Sequence, residues 1–347
     1  MTISIRHLFL AMVCMGIFIP APTFAGAEDT EAAVVMYHRF GEDDYPSTNI
    51  RIDQFEHHID EMKTGGYTVL PLTEIVSALK EGRKLPPKTI AITVDDAYLS
   101  VYTEAWPRLK KAGFPFTLFV ATEAVERASH GTYSRYMTWS QLKEMKDAGV
   151  EIGHHTVTHR HMPDADVATN QTEINDAFAK YERELNMRPT LFAYPYGEAN
   201  TAMIQMIKES GFDAAFGQHS GGIGTETERF YLPRFALNES YGDLERFRLV
   251  ASARPLPVSD IEPKDMQVSN EHNPPAIGFS LTREVKNAES IACYISGEGK
   301  VATENLGGVR IEIRPTQPFA KGRTRLNCTL SADDGRWYWF GRQFYLP

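Results

Sequence analysis

Thr89-Ile90-Ala91-Ile92-Thr93-Val94-Asp95-Asp96-Ala97-Tyr98 is the stretch on which the reading of this chain turns. Thr89–Val94 is apolar and β-branched with no 3.6-residue period, the pattern of a parallel strand covered on both faces. The strand then ends at two adjacent carboxylates. Side by side they repel, and one takes up a proton unless a metal ion or an arginine offsets the pair. The same dipeptide also serves as a common turn or helix N-cap, so it needs company to mean more.

Company comes from two further stretches. Gly149-Val150-Glu151-Ile152-Gly153-His154-His155-Thr156-Val157-Thr158-His159 is again an apolar strand ending in polar residues. His155 and His159 are four apart, so one helical turn places both imidazoles on one face. With a strand-end Asp they supply three N/O ligands and leave a fourth position for water, the pattern of a catalytic zinc site. Leu191-Phe192-Ala193-Tyr194-Pro195-Tyr196-Gly197 is a third strand, closed by a Pro-Tyr-Gly turn.

In order and spacing these three stretches resemble the motifs of the polysaccharide deacetylases, the family that shares the chitooligosaccharide-deacetylase homology domain (carbohydrate esterase family 4). Thr93-Val94-Asp95-Asp96-Ala97 is similar to its Thr-Phe-Asp-Asp-Gly, His155-Thr156-Val157-Thr158-His159 to its His-Ser/Thr-x-x-His, and Ala193-Tyr194-Pro195-Tyr196-Gly197 to its Arg-x-Pro-Tyr-Gly. The resemblance runs from about Val34 to Val250. It implies a distorted (β/α) barrel of about seven strands and one divalent ion, Zn²⁺, held by Asp96, His155 and His159. It also implies Asp95 as general base and the Tyr196 N–H as an oxyanion donor. The implied partner is an acetylated polysaccharide or oligosaccharide that loses acetyl groups, N-acetyl from N-acetylhexosamine units first among them. An O-acetyl ester substrate, or a catalytically weak glycan-binding protein on the same fold, are the alternatives.

The chain departs from that pattern in three places. Ala97 stands where the first motif has glycine, and Ala193 where the third has the arginine that pairs with the base. Arg234, in Leu232-Pro233-Arg234-Phe235, is a candidate to supply that charge from a later strand. No Leu-x-His occurs near the barrel's end to act as general acid. Histidine suits the role, and two follow strand ends: His38, after Val34–Tyr37, and His219, in the glycine-rich loop Gly217-Gln218-His219-Ser220-Gly221-Gly222. The late position of the family's acid favours His219, with His38 next and otherwise a sugar contact. Pro195 and Tyr196 complete the expected substrate contacts, with Trp139 either among them at the barrel mouth or in the core beneath its helix. His57 and His58 fall on a polar helix face, where solvation is expected. His154 precedes the first ligand and is expected to support it, and His161 and His272 carry no context.

Outside this core, residues 1–27 read as a secretory signal peptide. Arg6 and His7 precede the apolar run Leu8–Pro20, and Ala25-Gly26-Ala27 offers a small-x-small cleavage site. The run is too short for a good membrane span, and no later one is longer. Export is therefore expected, most simply to a bacterial periplasm, without integral membrane insertion. Net charge is −9 with no basic run, which argues against nucleic acid and anionic membrane as partners and allows a neutral or cationic glycan. Of three cysteines one lies in the leader, and Cys293 and Cys328 are left as an even pair that invites a disulfide in an exported chain.

Strand and helix alternate some seven or eight times through residues 28–250, which indicates an α/β barrel. Residues 251–275, rich in Pro, Ser, Asp and Glu, read as a linker. Residues 276–347 show short strand patterns separated by Gly, Asn and Asp, expected to form a small β-sandwich. Its aromatic run Trp337-Tyr338-Trp339-Phe340 is expected to serve as core and edge ahead of stacking sugars.

Overall fold

The computed structural model describes residues 30–347, so the expected signal peptide lies outside the described residues. The first strands in the chain are β1 (Glu31–Tyr37), β2 (Arg39–Phe40), β3 (Asn49–Ile50), β4 (Thr68–Val69), β5 (Thr89–Asp95), β6 (Thr117–Val120), β7 (Glu151–His154), β8 (Leu191–Ala193), β9 (Ala214–Phe216), β10 (Ile223–Gly224) and β11 (Phe235–Ala236). β2 and β3 pair with each other, while the rest form one sheet in the order β10-β1-β5-β6-β7-β8-β9, with β11 on β1 and β4 on β5. Apart from β10, which runs antiparallel to β1, every pairing in this sheet is parallel. The sheet curls into an open (β/α) half-barrel, the expected fold. Leu232 bridges to Phe216 of β9 and β11 pairs with β1, so the segment 232–237 touches both ends of the parallel run.

Alternation along each strand decides what enters the barrel. Ile90, Ile92 and Val94 of β5 join Val35 and Tyr37 of β1 in the cluster under the outer helices. Ala91 instead packs with Val34, Phe119, Ala193 and Phe216, the inner cluster. Thr93 and Asp95 have the same parity as Ala91 and also face inward. At Gly153 of β7 a Cβ would lie 2.3 Å from the Phe119 ring, so only glycine fits there.

The helices are α1 (Ile52–Thr64), α2 (Leu72–Glu81), α3 (Trp106–Ala112), α4 (Thr122–Ser129), α5 (Trp139–Asp147), α6 (Val167–Leu185), α7 (Thr201–Glu209) and α8 (Leu244–Ala251). The capping box expected at Thr138 and Gln141 opens α5. α8 has no counterpart among the elements expected from sequence, and it changes the environment of α1. His58, expected to be solvated, is fully buried. Its ring nitrogens lie 2.9 Å from the Tyr37 hydroxyl and 2.8 Å from the Gly242 carbonyl, and Phe247 of α8 stacks on it at 4.3 Å. Burial drives its pKa down to about 4.

A second sheet follows, made of β12 (Arg254–Pro255), β13 (Val258–Glu262), β14 (Ile277–Leu281), β15 (Ala292–Ile295), β16 (Gly299–Leu306), β17 (Arg310–Arg314), β18 (Gly322–Ser331) and β19 (Trp337–Leu346). It is one curled, eight-stranded sheet in the order β12-β19-β18-β15-β16-β17-β14-β13, the small all-β domain expected after the barrel. Residues 251–275, expected as a linker, carry β12 and β13. Their prolines and acids suit edge strands, which need fewer ladder bonds. The sheet's core holds Leu326, Cys328, Leu330 and Phe344. Cys293 and Cys328 lie directly opposite each other on β15 and β18 and form the expected disulfide.

The outer parity of β18 and β19 faces the barrel. Trp339 packs edge-on against Phe235, Tyr345 donates to Asp164, and the Gln343 amide donates to the Tyr196 carbonyl. At Gly341 a Cβ would lie 2.0 Å from the Ser220 carbonyl, which fixes that residue as glycine.

Candidate active site

Parallel strands deliver their C-terminal ends to one side of a sheet, so the loops after β5, β7 and β8 meet there. Asp96 is the first residue beyond β5, and its N–H donates to the Phe119 carbonyl at 3.0 Å. Asp96, Ala97, Thr156, His159 and Tyr196 all take positive φ, between 54° and 76°. For residues with a Cβ this conformation costs roughly 1–2 kcal/mol each, and such strain concentrates at functional sites. At Ala97 the missing motif glycine has a visible consequence, since alanine here holds φ +56°.

His155 Nε2 and His159 Nε2 lie 3.5 and 3.3 Å from Asp96 Oδ1, with the three ligand atoms all within 4.8 Å of one another. No other group of His, Cys, Asp and Glu comes together this way among the described residues. His155 Nδ1 donates to the Ala193 carbonyl at 2.7 Å, which turns Nε2 inward as an acceptor. Both Asp96 Oδ1 and His155 Nε2 are buried with no hydrogen-bond partner. Two acceptors facing each other in a buried site require a positive charge between them, either a proton or a metal ion. The electrostatics agree. Burial lowers the pKa of His155, but Asp96 and Asp95 outweigh it and raise it overall. Burial pushes Asp96 up, yet His159, His155 and His38 hold it far below the carboxylate range. His159 is driven by burial to about 4, so it is a neutral, ligand-competent imidazole at neutral pH. The residues fit a divalent metal ion, which would displace the proton from His155.

Asp95 does different work. Both its oxygens accept from Arg234, at 2.7 and 2.8 Å, and both side chains are completely buried. Arg234 also donates to the Gly217 carbonyl at 2.9 Å and to Thr93 Oγ1 at 3.3 Å. Burial raises the pKa of Asp95, but Arg234, His155 and His38 together hold it below the ordinary carboxylate value. His38 Nε2 lies 3.9 Å from Asp95 Oδ2. In the third loop the Tyr196 ring sits edge-on to His159 at 4.5 Å, above the buried Pro195. Gly197 has φ +70°, and a Cβ there would lie 2.4 Å from the Gln218 nitrogen.

Residues 82–215 match the family model for polysaccharide deacetylase. In sequence the chain matches the polysaccharide deacetylase family, and in structure it shares the fold. The chain is 25% identical over 201 residues to a putative polysaccharide deacetylase, YxkH, of Bacillus subtilis, covering 58% of this chain and 69% of that protein. It is 25% identical over 210 residues to the poly-beta-1,6-N-acetyl-D-glucosamine N-deacetylase of Escherichia coli, covering 50% of this chain but only 31% of that protein. Among solved structures, the Streptococcus pyogenes deacetylase PplD shares the fold at a TM-score of 0.59 and 24% identity, over 64% of this chain and 99% of that one. At the level of the family, the metal-competent triad and the match together indicate a metal-dependent deacetylase.

The structure gathers Asp95, Asp96, His155, His159, Arg234, His38 and Tyr196 at one place, and it separates two expected residues from them. Trp139 opens α5, is buried against Tyr181, and donates its indole N–H to Glu126. It belongs to the core because α5 packs its first turn onto α6, and it does not line the cavity beside the triad. His219 also points elsewhere. Its backbone carbonyl accepts from Arg234 N–H, but its ring stacks on Tyr231 at 4.4 Å and lines a separate cavity with Met266 and Arg342. Burial, with Arg342 and Arg234 nearby, drives its pKa to about 3, which favours the neutral imidazole at neutral pH. The neighbours Gln218 and Ser220 face the triad's cavity instead.

His154 supports the site as expected. It lies on the outer parity of β7, with Nε2 on the Ile174 carbonyl and Nδ1 accepting from Thr156 N–H. His161, read as lacking context, stacks on Tyr196 at 4.1 Å and bonds the buried Glu198 at 2.6 Å. Glu198 in turn faces Arg323 of β18 at 3.5 Å. No local pattern could have announced this chain of contacts, because its members come from separate loops and the second sheet. The aromatic run of β19, expected to be core and edge, is split by parity. Trp337 and Trp339 line the triad's cavity, and Phe340 packs on Phe279.

Proposed function

We propose that this protein removes N-acetyl groups from N-acetylhexosamine units of an exported polysaccharide, with Zn²⁺ as its metal. The observation that carries the reading is the pair of buried, unpartnered acceptors, Asp96 Oδ1 and His155 Nε2, set beside a carboxylate that Arg234 keeps ionised. Asp96, His155 and His159 hold the ion, which when bound polarises the acetyl carbonyl and makes water more acidic.

The chain's own residues supply the proton transfers. Asp95 takes a proton from the attacking water, using the lone pairs that Arg234 leaves free. The Tyr196 N–H faces the developing oxyanion and lowers the barrier to the tetrahedral state. As the C–N bond breaks, the amine nitrogen needs a proton, and His38 is the imidazole on the same cavity wall. His38 therefore replaces His219 as the proposed acid, and Tyr196, Pro195 and His38 frame the reacting sugar. Export, to the periplasm most simply, places the enzyme with such a polymer and agrees with the Cys293–Cys328 disulfide.

Acetate release from acetylated glucosamine oligomers, measured with and without chelator, tests the reading. Asp95→Asn should retain metal and lose roughly 10²–10⁴-fold in turnover. Release from O-acetylated xylan but not from the N-acetylated oligomers would make the protein an esterase instead. Absence of release from either would leave a glycan-binding protein.

A further inference from the structure

The cavity that holds Asp96 and His159 extends well beyond the reacting centre. Its volume is about 1180 Å³, above the roughly 300–1,000 Å³ of sites for one small molecule. The far wall is built by the second sheet. Register places Tyr294 beside Asn327, and Thr329 beside Trp339, on the outer parity of β15, β18 and β19. Tyr294 and Trp337 are 43% and 38% exposed. Rings left in solvent on this face suit the apolar face of a sugar.

Charge in this cavity is one-sided. Four arginines line the cavity, Arg127, Arg246, Arg323 and Arg325, against two acids, Asp96 and Glu123, and Asp96 is committed to the metal triad. Arg323 faces Glu198. Arg325 and Arg246 have no ion pair among the described residues. The Nε of Arg246 is buried without a hydrogen-bond partner, while its guanidinium rests 5.0 Å from the Trp339 ring. Burial works against both charges and lowers both pKa values, yet arginine stays protonated. Asp243 and Glu198 act on these charges from a distance, and neither pairs with them; two partly buried guanidinium groups facing one cavity with no carboxylate at ion-pair distance form a receptor for an anion.

We infer that the outer face of the second sheet, with Arg246 of α8, is a subsite for a carboxylate-bearing sugar that flanks the residue being deacetylated. Tyr294 and Trp337 stack the glycan, and Arg246 and Arg325 take the carboxylate. The substrate class is thus an acidic glycan in which N-acetylhexosamine alternates with, or lies next to, an acid sugar. The reading rests on the deacetylase proposal for the identity of the reacting end, but its test does not need turnover.

Binding is measured by titration calorimetry on the full-length Asp95→Asn protein with two tetrasaccharides of matched β-1,4 backbone. One is N-acetylglucosamine alone. The other alternates N-acetylglucosamine with N-acetylmuramic acid, whose lactyl ether adds a carboxylate. The acidic tetrasaccharide should bind about tenfold tighter or better, with the gap shrinking as salt rises. Arg325→Gln and Arg246→Gln should each erode the preference, Arg325→Lys should keep part of it, and Trp337→Ala should weaken both ligands alike. Thermal melts of each variant identify any that fail to fold. Equal binding of the two ligands, binding of neither, or a preference unchanged in folded Arg325→Gln and Arg246→Gln overturns the subsite. Acetate release by the wild-type protein reports separately on the deacetylase reading.

Discussion

Replacing Arg234 with methionine tests the electrostatic design of the site most directly. The substitution keeps an apolar, flexible side chain of useful length but leaves the Asp95 carboxylate without its two charge-assisted hydrogen bonds. Both partners are completely buried, so solvent cannot step in. Breaking a buried ion pair from one side costs roughly 3–5 kcal/mol. The loss should fall toward the upper end, because the Gly217 carbonyl and Thr93 Oγ1 lose a donor as well. The sign of the pH dependence then reverses. In the wild type the pKa of Asp95 is held low, so its contribution is present above the unfolded value of about 3.9 and lost only as pH falls through the folded one. In Arg234→Met burial dominates and the folded pKa rises. That group then favours the fold only at low pH, and its contribution is lost as pH climbs above about 4. Urea denaturation of chelator-treated protein at pH 5 and pH 8 reads this directly, the variant being less stable at pH 8. Asp95→Asn in the same background should recover much of the loss. A variant as stable as wild type at pH 8, or a double variant with no recovery, would refute the reasoning.

Other expectations are simpler. Elemental analysis should find about one equivalent of divalent metal in the wild type, lost in large part in Asp96→Ala and His155→Ala; full occupancy in both variants removes the triad from consideration. His38→Ala should lower kcat more than it raises KM, with metal retained, while His219→Ala, made in a ring that faces away from the triad, should change stability more than rate. The opposite outcome would restore His219 as the acid. Cys328→Ser opens a cross-link between residues 35 apart and should cost roughly 3–4 kcal/mol, read as a lower urea midpoint; an unchanged midpoint would show that the second sheet does not depend on it.

The sequence by itself determined the parts of this protein whose causes are local. A β-branched run such as Thr89–Val94 favours a buried strand, and a capping box such as Thr138 with Gln141 favours a helix start. The carboxylate and imidazole ligands sit at strand ends because parallel strands bring those ends together. Tertiary structure decided what depends on the far side of the chain. His58 is buried because α8, from residues 244–251, covers α1. Arg234 reaches Asp95 because segment 232–237 runs alongside β1 with an inward parity that its own five-residue context does not reveal. His219 and Trp139 turn away because a loop's direction, and which face of a first helical turn is covered, are set by what packs on them. The second sheet gave the least notice. Its alternation was legible strand by strand, but which face would meet the barrel was fixed by two close approaches, Gly341 to Ser220 and Gln343 to Tyr196. Period-2 patterning tells inside from outside; it does not tell solvent from a neighbouring wall.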